Sequence, residues 1–136
     1  MIRAREDGSV LLLTLGYALL ALALIFATVC ATDLYLAQKR LDALADSAAL
    51  AGADGFTLVV QGESAQAVLT DEGVREQVDA LLSAMPGGAV RESATTPDGI
   101  SARVTITIDW HPPLISAFVP DGVRLESTGT SRTALR

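Results

Sequence analysis

VLLLTLGYALLALALIFATVCA, Val10 to Ala31, and DLYLAQKRLDALADSAALAGAD, Asp33 to Asp54, follow one another with only Thr32 between them, and their joint reading decides the fold. The first segment has no charged residue over about 22 positions, and a helix needs about 20 apolar residues to cross a bilayer core of roughly 30 Å. It is expected to span a membrane. In the second segment Leu34, Ala37, Leu41, Leu44, Ala48 and Ala51 recur at alternating three- and four-residue steps, while Asp33, Lys39, Arg40, Asp42 and Asp46 fall off that stripe. Neither Pro nor Gly occurs between Tyr17 and Ala51. The two segments are therefore predicted to form one helix of about 45 residues, about 65 Å long at 1.5 Å per residue. Half of it stands outside the membrane, and its heptad-like stripe is expected to be a partner-helix interface. Within the span, Ala23, Ala27 and Ala31 form a small-xxx-small row, a candidate surface for close helix packing in lipid.

The 136 residues leave room beyond this helix for one domain of about 80 residues, near the lower limit for a self-supporting core. Three regions are expected: a polar tail over 1–8, the transmembrane helix continuing as an amphipathic helix over 9–54, and a small domain over 55–136. The 50% hydrophobic composition resides largely in the span. Beyond Arg40 there are thirteen Asp and Glu against six Arg. Phosphate binding needs clustered Lys and Arg, so nucleic acid is not an expected partner; the acidity favours solubility.

Cys30 is the only cysteine, which excludes an intramolecular disulfide, and it is expected to be a small buried thiol. A charged start before an apolar run also suits a signal peptide, and Val29-Cys30-Ala31 has small residues at the right places. Such apolar regions run about 7 to 15 residues, however, and this one exceeds that length, so retention in the membrane is expected. Arg3 and Arg5 before the span balance Lys39 and Arg40 after it, and charge alone leaves the orientation open.

Gly52 and Gly55 around Asp54 mark the helix end. Phe56 to Val60 is β-prone, and Ser64 to Met85 carries helical spacing, with Asp71 as N-cap and Val74, Val78, Leu81, Leu82 and Met85 on one face. Pro86-Gly87-Gly88 stops that helix. Arg75, Glu76 and Asp79 look like its solvated face. Ala89 to Thr95 is predicted to pair with Ile100 to Trp110 through the turn Thr96-Pro97-Asp98-Gly99. In the second strand Ala102, Val104, Ile106, Ile108 and Trp110 alternate with Arg103, Thr105, Thr107 and Asp109, as in a sheet buried on one face, and the Asp71 helix is the expected cover. Pro112-Pro113 ends this strand. Leu114 to Val119 forms an apolar loop, whose Leu114 and Phe118 are either core filler or an exposed contact, with the core expected because the domain is so small, and Val123 to Leu135 supplies a last strand. The fold class is α+β: a long N-terminal transmembrane and amphipathic helix, then a small domain of one or two helices and a three-stranded antiparallel sheet.

No catalytic site, cofactor site or metal site is expected. His111, the sole histidine, has no patterned nucleophile or orienting group near it in sequence. The acids Asp71, Glu72 and Glu76 belong to a helix start, where the macrodipole explains them. Metal-ligand spacings and phosphate-binding glycine loops are missing from the sequence.

Two stretches carry a family resemblance. Arg5-Glu6-Asp7-Gly8-Ser9-Val10 opens the apolar run, and Leu36-Ala37-Gln38-Lys39-Arg40-Leu41-Asp42-Ala43-Leu44-Ala45-Asp46-Ser47-Ala48-Ala49-Leu50-Ala51-Gly52-Ala53 follows it. Together they resemble the TadE/TadG-like proteins of tight-adherence (Flp-type) pilus assembly, in the short TadG-related form of actinobacteria. The tail, with Val104-Thr105-Ile106-Thr107-Ile108, a Pro-containing apolar loop and a Thr/Ser-rich strand, is similar to that family too. The resemblance implies a pilin-like build, a single pass through the cytoplasmic membrane with Met1 inside and the C-terminal domain extracytoplasmic, and partners among pilus-assembly or pilin-like subunits and the lipid bilayer. It implies the role of a minor pilin or assembly protein in secretion and adhesion. Gly8 is its candidate processing position, although Leu13 stands where prepilin peptidase substrates carry a glutamate, so the tail is expected to be kept. The alternative function is a membrane-tethered envelope binding or sensor module.

Overall fold

The computed structural model describes residues 3–113 and 115–133, without the side chains of residues 3–7 and 64. Helix α1 runs without interruption over Arg3–Ala53, so the segment expected as a polar tail is helical from Arg3. Strands β1 (Thr57–Gln61) and β2 (Ser64–Val68) form an antiparallel hairpin. Helix α2 (Asp71–Ala84) follows, and then β3 (Val90–Thr95), β4 (Ser101–Trp110), a short 3-10 turn at Ser116–Phe118 and β5 (Val123–Arg132). The main sheet has the order β3-β4-β5, antiparallel throughout. The α+β class and the three-stranded sheet expected from sequence are thus what the chain forms.

The β4 alternation holds at its centre: Ala102, Val104 and Ile106 are buried, with Ile108 and Trp110 packed at the margin. Thr107, read as outward-facing, is also buried. The turn into β4 is held by Asp98, whose carboxylate accepts from the Ile100 and Ser101 amides and the Ser101 hydroxyl at 3.0, 2.6 and 2.8 Å. These bonds hold the Asp98 carboxyl below its ordinary pKa, the Ser101 hydroxyl contributing most.

Three expectations need correction. Residues 64–68 are strand rather than helix: Gly62, at a φ of 67°, turns the chain so that Ser64–Val68 pairs along Thr57–Gln61. Cross-strand pairing overrides the weak local preference of Ser-Ala-Gln-Ala-Val, because strand propensity depends on what the strand packs beside. The N-cap of α2 is Thr70, whose side chain accepts from the Gly73 amide at 3.1 Å. Asp71 instead accepts from the Thr96 amide at 2.7 Å, tying the helix start to the β3–β4 turn. Asp79 is likewise not a bystander. It receives both Arg91 Nε (2.7 Å) and Nη2 (3.0 Å) from β3, and this pairing lowers its pKa.

The sheet has two covers, not one. Val74 and Val78 of α2 reach the core as expected, with Leu81 and Leu82 beside them, whereas Met85 is exposed. The larger cover is the upper half of α1, which contributes Leu41, Ala45, Ala48, Ala49 and Ala53. Small residues matter there because they let helix and sheet backbones approach closely. A Cβ at Gly129 of β5 would run into the Ala45 carbonyl. Gly52, read from sequence as a helix terminator, lies inside α1 and is buried; a Cβ there would stand 2.9 Å from Val74 Cγ1 and 3.3 Å from the Ala102 methyl.

Candidate functional site

The surfaces of α1 are where function was expected, and the two halves of that helix differ completely. The upper stripe is spent on the chain's own domain. Leu41 and Ala48 are 3% and 0% exposed, Leu34, Ala37 and Leu44 pack against the same core, and Ala51 is half-buried. The need that motivated a partner helix, apolar side chains facing water, is met by β4, β5 and α2 of the same chain.

The lower half is bare. Every residue from Gly8 to Ile25 is exposed, including Ala23, and Ala27 and Ala31 are exposed beyond it. Ala27 and Ala31 border a shallow open groove with Leu24, Thr28 and Tyr35. The Thr14 and Thr28 hydroxyls donate to the Leu11 and Leu24 carbonyls at 2.9 and 2.8 Å, so these groups are satisfied within the helix, as lipid requires. Among the described residues this is the one helix long and apolar enough to cross a membrane, and its bareness fits a single-pass membrane protein. Gly8 lies exposed in α1, with open space where a side chain would stand.

Between the halves, α1 is locked to the sheet by acids that the periodicity had assigned to solvent. Asp33 accepts from Trp110 Nε1 at 2.8 Å. Asp42 accepts from Ser127 Oγ of β5 at 2.8 Å, from Gln38 Nε2 at 3.0 Å and from Lys39 Nζ at 3.2 Å. The Ser127 bond is the largest cause, followed by Gln38 and Lys39, holding the Asp42 carboxyl below its ordinary pKa. Gln38 Nε2 also donates to the Glu126 carbonyl at 3.1 Å. Just below, Cys30 is half-buried, its Sγ 4.0 Å from the Pro113 carbonyl. A spacing rule sees only which residues share a face of one helix. It has no means of detecting that a strand 85 positions later passes the opposite edge.

A cleft of about 380 Å³ opens between α1, the end of α2 and the end of β4, bordered by Leu44, Arg40, Met85, Ile108, Trp110 and His111. The sequence had no signal for it, because its walls come from three distant segments. Its lining is mainly apolar, with the exposed His111 and Arg40 at its edge. Leu114, expected in the core, lies outside the described residues, and Phe118, expected beside it, is 84% exposed. A core place for Phe118 is therefore wrong: its side chain stands out from the domain, while Ile115 and Val119 on either side of it are half-buried.

Comparison with the curated proteins and with solved structures returns no match to this chain. A family model does match: residues 8–55, the bare span and the buried upper half of α1 together, match Tad, described as "Putative Flp pilus-assembly TadE/G-like", the family that the sequence resembles, and this match supports involvement in Flp pilus assembly.

Proposed function

We propose that the protein is a non-catalytic minor-pilin-like or assembly subunit of a tight-adherence (Flp, type IV-like) secretion system. It is anchored in the cytoplasmic membrane by one pass, with its C-terminal domain extracytoplasmic. The observation that carries this reading is the coincidence of the matched segment, residues 8–55, with α1, whose span is exposed at every described position from Gly8 to Ile25. In this reading the helix docks through the span, where Ala23, Ala27 and Ala31 let a second helix approach, rather than through the stripe at Leu41 and Ala48, which its own domain covers. Leu36 and Leu50, 46% and 59% exposed on the outer side of α1, extend the free surface above the span.

The test is complementation of a deletion strain with membrane levels held equal. Triple replacement of Ala23, Ala27 and Ala31 by Leu preserves hydrophobicity and hence insertion, yet fills the row. Loss of surface pili and of co-purifying pilus subunits is expected. Normal piliation with normal recovery of those subunits rejects docking through this row. A second reading, an envelope binding module, is favoured by the cleft beside Trp110. It predicts the reverse pattern, with Ile108→Glu at the cleft wall abolishing function in a stable protein and the alanine row tolerant of change.

A further inference from the structure

The loop between β4 and β5 leaves the sheet at the height where the apolar run of α1 ends. Trp110, the last residue of β4, bonds Asp33, two residues beyond that run, and three residues on, the Pro113 carbonyl lies beside Cys30, inside it. Among residues 8–33 only Phe26 and Cys30, one turn apart on the domain-facing side, are not fully exposed. From this level the chain continues through Ile115, the 3-10 turn Ser116–Phe118 and Val119. Phe118 is 84% exposed, more than any leucine of the bare span, where Leu12 reaches 72%. A soluble domain has no reason to hold a phenylalanine so far out, and the described residues leave its ring uncovered.

We infer that the segment Ile115–Val119 is a second membrane contact, with Phe118 buried in the headgroup and acyl-chain boundary and Trp110 at the interface above it. This rests on Val10–Ala31 spanning a bilayer, because continuity with that span places lipid, rather than another protein, under the loop. Aromatic side chains favour this depth, and apolar groups on a surface element reach about 5–10 Å into the boundary. Asp121, exposed at the far end of the loop, stays among the headgroups and limits the insertion to a shallow one. With α1 as one leg and the loop as the other, the domain is held at a fixed tilt and rotation to the bilayer, independent of which side it faces.

The experiment uses the full chain in phosphatidylethanolamine/phosphatidylglycerol vesicles, with Cys30→Ala and a single spin label at Phe118→Cys, Leu20→Cys or Thr130→Cys. Thr130 lies opposite Arg103, at the end of the sheet away from Trp110. Collision with oxygen marks lipid and collision with a water-soluble nickel chelate marks solvent. The label at 118 is expected to favour oxygen, as at 20, and to sit at a shallower depth; the label at 130 favours nickel. A label at 118 that behaves like 130, with 20 in lipid, overturns the inference and leaves the span intact. A water-exposed label at 20 overturns the span itself, and this inference with it. In the unlabelled chain, Phe118→Asp should reduce quenching of Trp110, the only tryptophan, by lipids brominated high on the acyl chain; unchanged quenching counts against the anchor.

Discussion

One continuous helix meets two solvents in this molecule. Below Cys30, α1 has leucines exposed at 55–72%; above it, Ala45, Ala48 and Ala49 are at 0% against a sheet. Both halves present an apolar face, but the lower one carries no charge from Val10 to Ala31, whereas the upper one carries Asp33, Lys39, Arg40, Asp42 and Asp46 off its stripe. Residue volume on the apolar face differs as well. Leucine is used where the helix faces a fluid medium that conforms to any shape, and alanine where it faces a rigid backbone at close range. The exposed β1–β2 hairpin, with Leu58 and Val60 at 62% and 71%, belongs to neither regime and adds little to the core.

The sharpest way to break this comparison is to put the same side chain at a glycine bordering each half, Gly129 of β5 against the upper one and Gly16 within the lower one. Gly129→Leu forces a side chain into the α1 backbone at Ala45, which cannot give way as a flexible side chain would. The domain should lose at least about 3 kcal/mol, the upper range for overpacking, and much of it should be unfolded. Gly16→Leu, with open space around it, should cost nothing and gain up to about 1 kcal/mol in helix propensity. Thermal and urea unfolding of the full chain in detergent measures both; equal destabilisation would mean that α1 does not lie on β5.

Ile106→Ala is expected to come next, costing about 2–5 kcal/mol because its side chain is fully buried between α1 and the sheet. Thr105→Ala on the other face loses only an exposed bond to Thr128, 2.9 Å long, and should cost under about 1 kcal/mol. Urea midpoints at constant slope check the pair, and equal shifts would reverse the faces of β4.

Asp42→Ala tests how α1 is held laterally. It should lower the unfolding midpoint less than Ile106→Ala but more than Asp46→Ala, since Asp46 is exposed and Asp42 joins α1 to Ser127. The pH dependence follows from its lowered folded pKa. The contribution of the carboxylate is complete above the ordinary value of 3.8 and is lost as pH falls through the lower folded value. Wild type and Asp42→Ala should therefore differ at neutral pH and converge in strong acid. A difference that persists unchanged below that range would show that the charge is not what holds Ser127.

The smallest effect is expected where α2 meets β3. Arg91→Ala removes a two-pronged but solvent-exposed pair with Asp79, and such pairs contribute roughly 0–1 kcal/mol. A loss of stability comparable to Ile106→Ala would make this edge, rather than the α1 face, the anchor of the domain.

The long helix, its apolar lower half, the second helix from Asp71, the paired strands around Pro97-Asp98-Gly99 and the inward set Ala102, Val104 and Ile106 were all legible in the sequence. Each is written in local spacing, charge absence or turn chemistry, which need no knowledge of the rest of the chain. The stripe at Leu34, Leu41 and Ala48 was legible as a buried face but not as to what buries it, because amphipathicity specifies that a cover exists without naming it. That the cover is β4 and β5, that Asp33 and Asp42 grip Trp110 and Ser127, that 64–68 pairs as a strand, and that Phe118 is exposed rather than in the core were decided only by the tertiary structure. These depend on which distant segments arrive at the same place, and a sheet whose first strand, Val90–Thr95, comes well after the helix ends at Ala53 was as good a partner for it as another molecule.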